Sequence, residues 1–255
     1  MSVRSRTRHR LAVVRESTPS GGDSERSRIR SLPRLTWAVL LLACCGAGCS
    51  QLPPSVSGKV ATDLVALMDL DKDQIKGKWT KDDSGLHSTT ASFGTILIPY
   101  LPGEEYDVKL VCQRSGNVDM IALGLVKGTT QFVVGIDGST SIVASGLDRV
   151  DGKPYCDNET TTKKTTLDNT KASTIVVQVR NVSLLVTVDG TTLIEWKIKD
   201  KDGKDTGKPL DYGRLSLFQE WKVPPGKGMF LGAFSDYAIT TLELTNVTKA
   251  GKFLR

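Results

Sequence analysis

Two apolar runs joined by a two-residue link, LLVTVDGTTLIEW (residues 184–196), constrain the fold more than any other segment. Leu184, Val186 and Val188 alternate on one face of a strand, and Ile194 and Trp196 continue the scheme after the link. Asp-Gly is favoured by a tight type I′ hairpin turn because both central residues need positive φ. Gly190 adopts that conformation freely and Asp189 better than most residues. Asp189 therefore reads as a turn residue and not as an active-site acid. The same grammar recurs in YDVKLVCQR (106–114), where Tyr106, Val108, Leu110 and Cys112 share one face, and in STIVVQVRN (173–181), where Ile175, Val177 and Val179 do. TILIPY (95–100), MIALGLV (120–126), QFVVGI (131–136), RLSLF (214–218), MFLGAF (229–234) and ITTLEL (239–244) are further strand candidates. Turn pairs punctuate them at Asp137-Gly138, Asp151-Gly152 and Asp202-Gly203. Many short strands and little helical periodicity predict one all-β domain, a two-sheet antiparallel jelly-roll β-sandwich over residues 60–248, with 249–255 as a tail. VATDLVALM (60–68) reads as a short helix or a first strand, and residues 156–173 as an exposed polar loop.

The chain's formal charge of +6 is confined to its start. Nine of the 34 basic residues and three of the 28 acidic ones lie in residues 1–49, which leaves 25 of each in the remainder. A neutral body carries no electrostatic case for nucleic acid. After the basic stretch comes LTWAVLLLACCGAGCS (35–50), whose apolar run is too short for the roughly 20 residues of a membrane-crossing helix. A basic segment, a short apolar core and small residues form the layout of an export signal. Ala47-Gly48-Cys49 resembles the end of a bacterial lipobox, which makes Cys49 the expected lipidated residue, with Cys44 as the alternative. Residues 1–49 are thus expected to be leader and signal peptide, and 50–59, containing Pro53 and Pro54, a tether. The expected location is the bacterial cell envelope, with the membrane engaged through the lipid anchor only. A secreted soluble protein is the alternative.

The second half, with VVQVRNVSLLVTVDGTTLIEW, RLSLFQEWKVPPGKGMFLGAF and ITTLELTNV, resembles concanavalin A-like and laminin-G-like domains. Upstream, DKDQIKGKW, LIPYLPGEEYDV and SGLDRVDGKPYCDNETT are similar to secreted bacterial lipoproteins near the 3-keto-disaccharide hydrolase group, a domain of unknown function. That resemblance implies a two-sheet jelly roll, often facing carbohydrate. The chain departs from the hydrolase-like members in lacking an N-S-G-[IV] segment around residues 120–126.

Candidate chemistry is sparse. His87 is the one histidine outside the leader, so a Ser-His-Asp arrangement would have to run through it, and zinc sites built from several histidines and cysteines are excluded by count. Glycosidases need two nearby carboxylates. Glu105 and Asp107 flank the inward Tyr106 and so face solvent, whereas Glu195 and Glu220 each precede a tryptophan and are the weak catalytic candidates. Asp69, Asp71 and Asp73 begin like a calcium loop, but Gln74 and Thr80 stand where glycine and an acid are needed. No cofactor is expected beyond a rim calcium with unassigned ligands. Trp221, Trp196 and Glu220 are the carbohydrate-binding candidates, because sugar rings stack on aromatic faces. Cys112 and Cys156 are a candidate disulfide in an oxidising compartment. These readings lead to a non-catalytic module binding polysaccharide or an envelope protein. A glycoside-acting hydrolase and a purely structural envelope domain are the alternatives.

Overall fold

A computed structural model describes residues 60–89, 93–139, 141–221, 223 and 228–255. The expected leader, the lipidation candidates Cys49 and Cys44, and the tether lie outside the described residues. From its start the domain runs β1 (Thr62–Asp63), the one-turn helices α1 (Leu64–Leu67) and α2 (Leu70–Asp73), β2 (Gln74–Lys76), β3 (Lys78–Asp82), β4 (Gly85–Thr89), β5 (Gly94–Ile98) and β6 (Tyr100–Leu101). It continues through β7 (Tyr106–Arg114), β8 (Ile121–Lys127), β9 (Thr130–Ser139), β10 (Val143–Leu147), β11 (Ser173–Val179), β12 (Ser183–Val188) and β13 (Thr191–Lys197). A single 3-10 turn at Tyr212–Arg214 precedes β14 (Met229–Ala233), β15 (Tyr237–Asn246) and β16 (Lys252–Phe253). Among the described residues, no helix is long and apolar enough to cross a membrane.

These strands form an antiparallel two-sheet β-sandwich. The first sheet is ordered β13-β12-β11-β7-β15-β4-β3, with β1 also paired to β15. The second is ordered β10-β9-β8-β14-β5-β2. Alternation decides what each face buries. Val108 and Leu110 of β7 and Val177 of β11 meet Leu123 and Leu125 of β8 and Val134 of β9 in one core between the sheets. On β7, Asp107 and Lys109 point away from that core, and Lys109 lies 3.8 Å from Glu243 of the neighbouring β15.

The 184–196 hairpin forms as its sequence demands. Asp189 and Gly190 both have positive φ, at 49° and 78°, and Val188 pairs with Thr191 across the turn. The Asp189 carboxylate also accepts the main-chain N–H of Thr174 at 2.7 Å, so the turn is tied to β11. Asp189→Asn should leave stability nearly unchanged. Asp189→Ala, which loses both the tolerance of positive φ and the acceptor, should cost about 1–2 kcal/mol in denaturant unfolding.

Two sequence expectations are corrected. RLSLF (214–218) is not a strand: Leu215 makes only an isolated bridge to Val150, and its N–H closes the 3-10 turn on Tyr212. Its apolar residues separate instead, Leu215 entering the main core and Leu217 packing on a satellite cluster. Residues 249–255, expected as a tail, return to the fold. Phe253 of β16 pairs with Tyr100 of β6 and packs edge-on against its ring, while Arg255 forms an ion pair with buried Asp73.

The long connection between β10 and β11 is anchored from inside the sandwich. Arg114, at the end of β7, is 1% exposed and donates from Nη1 to Asp137 at 3.0 Å, from Nη2 to the Leu167 carbonyl and from Nε to the Asn169 side chain. Asp137 in turn accepts the N–H groups of Thr166 at 2.7 Å and Leu167 at 2.8 Å. A buried charge is tolerable only when paired and hydrogen-bonded in this way.

Candidate functional site

The face of the second sheet turned away from the main core carries a transverse row of small residues. Register places Gly146 of β10 beside Gly135 of β9, Gly135 beside Ala122 of β8, and Ala122 beside Gly232 of β14. Cross-strand partners point to the same side, so this row is a trough across four strands. Large groups fill it. A Cβ on Gly232 would lie 2.4 Å from Cζ3 of Trp221, one on Gly146 2.4 Å from the Tyr155 carbonyl oxygen, and one on Gly135 3.1 Å from the Met120 methyl. Trp221, Met120, Ala122, Val133, Val223 and Phe230 form a second apolar cluster, separate from the main core. Phe93 stacks on Phe234 with ring centroids 4.5 Å apart and meets Trp221 edge-on at 4.9 Å.

Above this floor is a cavity of about 240 Å³ lined by Asp119, Met120, Ser139, Asp148, Tyr155, Phe218, Trp221 and Phe234. Two of its rings are open to solvent, Phe218 at 40% and Phe234 at 38% exposure. Asp148, just past the end of β10, is 6% exposed and accepts the Trp221 indole N–H at 3.2 Å. The main-chain N–H groups of Phe218 and Tyr155 also donate to it. Burial raises its pKa from the ordinary carboxylate value, and these donors oppose the rise. Asp119 is half-buried and accepts the N–H of Met120 at 2.8 Å and, more weakly, of Ser139 at 3.3 Å.

The aromatic candidates are redistributed. Trp221 does line the cavity, but it is only 3% exposed and lies over Gly232, so its face is packed against protein and not offered for stacking. The open rings are Phe218 and Phe234. Trp196 belongs to the main core beside Tyr212, with its indole N–H donated to Glu159 at 2.7 Å and Arg214 above its ring. The two tryptophans therefore do not share a groove. Neither do the acids that precede them. Glu195 is paired with Lys197 at 3.0 Å on the exposed side of β13, and Glu220 is an exposed residue outside the cavity lining.

The remaining candidates have structural roles. Glu105 accepts the Asn181 N–H, and Asp107 holds Arg180 at 2.6 Å, so both tie β7 to the β11–β12 turn. His87 meets Ser84 at 3.0 Å and Asp82 at 3.2 Å through the same Nε2. A catalytic relay needs the acid on Nδ1 and the hydroxyl on Nε2, so this trio is not one. Asp82, lowered to about 2 chiefly by the Ser84 hydroxyl, serves the β3–β4 turn. Asp69 and Asp73 cap and brace α2, and no group of three or more metal-ligating side chains occurs among the described residues.

Cys112 and Cys156 are free thiols, so the expected disulfide is not formed in this structure. Cys112 is buried on β7 between the sheets, and desolvation pushes its thiol up to about 12. Peptide mapping after native alkylation should find Cys156 modified and Cys112 protected until the protein is unfolded. Protection of both would indicate a bridge.

Asp119, Asp148, Phe218 and Phe234 were not singled out by sequence reasoning. The available signal was one glycine in each of MIALGLV, QFVVGI and MFLGAF, namely Gly124, Gly135 and Gly232, all on the side opposite the core-facing residues. A strand glycine often marks close approach by another group.

No family model matches the chain, and no curated protein matches it. Solved structures similar to it include the carbohydrate-binding module CBM66 from Bacillus subtilis, 11% identical over 68% of this chain and 94% of that one, with a TM-score of 0.43. The Ca2+/Man-bound exoplasmic/lumenal domain of VIP36 is 12% identical over 68% and 82%, with a TM-score of 0.46. The apo Crh5 transglycosylase is 12% identical over 74% and 84%, also at 0.46.

Proposed function

We propose that this chain is an exported, lipid-anchored, non-catalytic module that binds carbohydrate in the cavity over the second sheet. One observation carries the reading: partly exposed phenylalanine rings stand beside convergent polar groups in a single concave site. A pocket lined by aromatic rings with a few placed polar groups is the ordinary form of a small-ligand site. Its volume of about 240 Å³ suits a group the size of one sugar ring. The non-catalytic reading is supported by Asp148, whose carboxylate is already engaged by three N–H donors.

A glycan array followed by calorimetry on the best ligand tests this. Phe218→Ala and Phe234→Ala should each weaken binding by about tenfold, or ~1.4 kcal/mol, while Glu195→Gln and Glu220→Gln should leave it unchanged. Loss of binding in the glutamate variants alone would place the ligand elsewhere. Release of product from a bound glycan, abolished by Asp119→Asn, would make the protein a hydrolase. The anchor is tested separately, by the mass of the mature N-terminal peptide. An unmodified residue at that end removes the lipoprotein part and leaves the binding part standing.

A further inference from the structure

The polar surface of the cavity is one-sided. Its N–H groups are spent within the protein: those of Met120 and Ser139 on the Asp119 carboxylate, and those of Tyr155, Phe218 and the Trp221 indole on Asp148. The Phe234 N–H is given to the Met120 carbonyl at 2.9 Å, and the main-chain N–H of Asp148 to Val133. What these groups leave facing the cavity are carboxylate lone pairs, the hydroxyls of Ser139 and Tyr155, and the negative faces of aromatic rings. Among the described residues, no lysine or arginine lines it. The guanidinium of Arg149 is stacked on the Phe218 ring at 4.7 Å and bonded to the Gly152 carbonyl at 3.0 Å. Among the described residues of the lining, the charged groups are the two carboxylates.

A neutral sugar presents hydroxyls that both donate and accept, and would meet more acceptors than donors here, the Ser139 and Tyr155 hydroxyls being the donors. An anionic one would meet two carboxylates. A positively charged nitrogen satisfies both parts of the wall, since carboxylates attract it as a charge and ring faces attract it through their quadrupoles. We propose that the group held in this cavity is an ammonium, either the free amine of a hexosamine unit or a small quaternary ammonium. The proposal rests on the reading of this cavity as the ligand site. The cost of burying Asp148, visible in its raised pKa, is a cost that a bound cation offsets.

Calorimetric titration of the full chain with three probes tests it: a glucosamine tetramer with free amines, the same tetramer fully N-acetylated, and choline. The free-amine tetramer should bind about tenfold more tightly than the acetylated one, and 0.5 M salt should narrow that gap. Asp119→Asn should narrow it too, with Phe218→Ala weakening binding of the free-amine tetramer as a second probe that does not touch the carboxylates. Choline binding with no sugar binding would uphold the cation proposal and overturn the carbohydrate reading. Equal or tighter binding of the acetylated tetramer would overturn the cation proposal and leave the carbohydrate reading in place. Binding of none of the three overturns both.

Discussion

Asp137→Ala should lower the unfolding free energy by about 3–5 kcal/mol, a large fraction of the stability of a domain this size. The loss comes from what is left behind. The Arg114 guanidinium stays buried without its counter-charge, and the N–H groups of Thr166 and Leu167 lose their acceptor. Urea unfolding followed by circular dichroism measures it. Removing both charges, Arg114→Met with Asp137→Asn, should recover part of the loss, because neither charge is then stranded and Asn keeps an acceptor and the tolerance of the positive φ at this position. A single variant within 1 kcal/mol of wild type would show that the pair is not what holds the loop. Because the pair grips residues 166–169 from inside, limited proteolysis of Asp137→Ala should cut first in the connection between β10 and β11.

Gly232→Val should both destabilise the protein, by about 1–3 kcal/mol, and abolish binding at the cavity. The new Cβ would sit 2.4 Å from one indole carbon of Trp221 and 3.0 Å from the next. That ring cannot slide aside, because Phe93, Phe230 and Phe234 contact it. Expulsion of the indole breaks its bond to Asp148 and lets go of the Phe218 segment. The measurement is a double-mutant cycle with Trp221→Ala, read by thermal melting. In the truncated background the valine should cost much less, and the difference is the coupling between floor and ring. A cost that is the same in both backgrounds would mean that Trp221 does not occupy the trough.

Strands were legible where one face is buried and the other solvated, as in YDVKLVCQR, which matches β7 residue for residue. There each side chain reports its own environment through polarity. The hairpin at Asp189 was legible because its turn demands positive φ, a purely local requirement. RLSLF failed for the opposite reason. Its alternation is real, but Leu215 and Leu217 are claimed by two different apolar clusters and not by one sheet face. The site was the least legible part. It is assembled by register across β10, β9, β8 and β14 and then roofed by two loops, and register is a long-range property. Trp221 was found from its residue type, yet its partner Gly232 carries no side chain to announce the contact. Whether Trp196 and Trp221 share one site could not be judged without knowing that they pack into different clusters.

The three donors on Asp148 have a consequence for how a ligand arrives. One carboxylate fastens the end of β10 to the Tyr155 loop and to both Phe218 and Trp221, so the walls are held in place by bonds that exist before anything binds. A preorganised site loses little side-chain freedom on association, and more of each contact survives as affinity. Recognition here is then set by fit to a fixed mould. Discrimination among ligands should appear in how long each one stays and not in how often it enters.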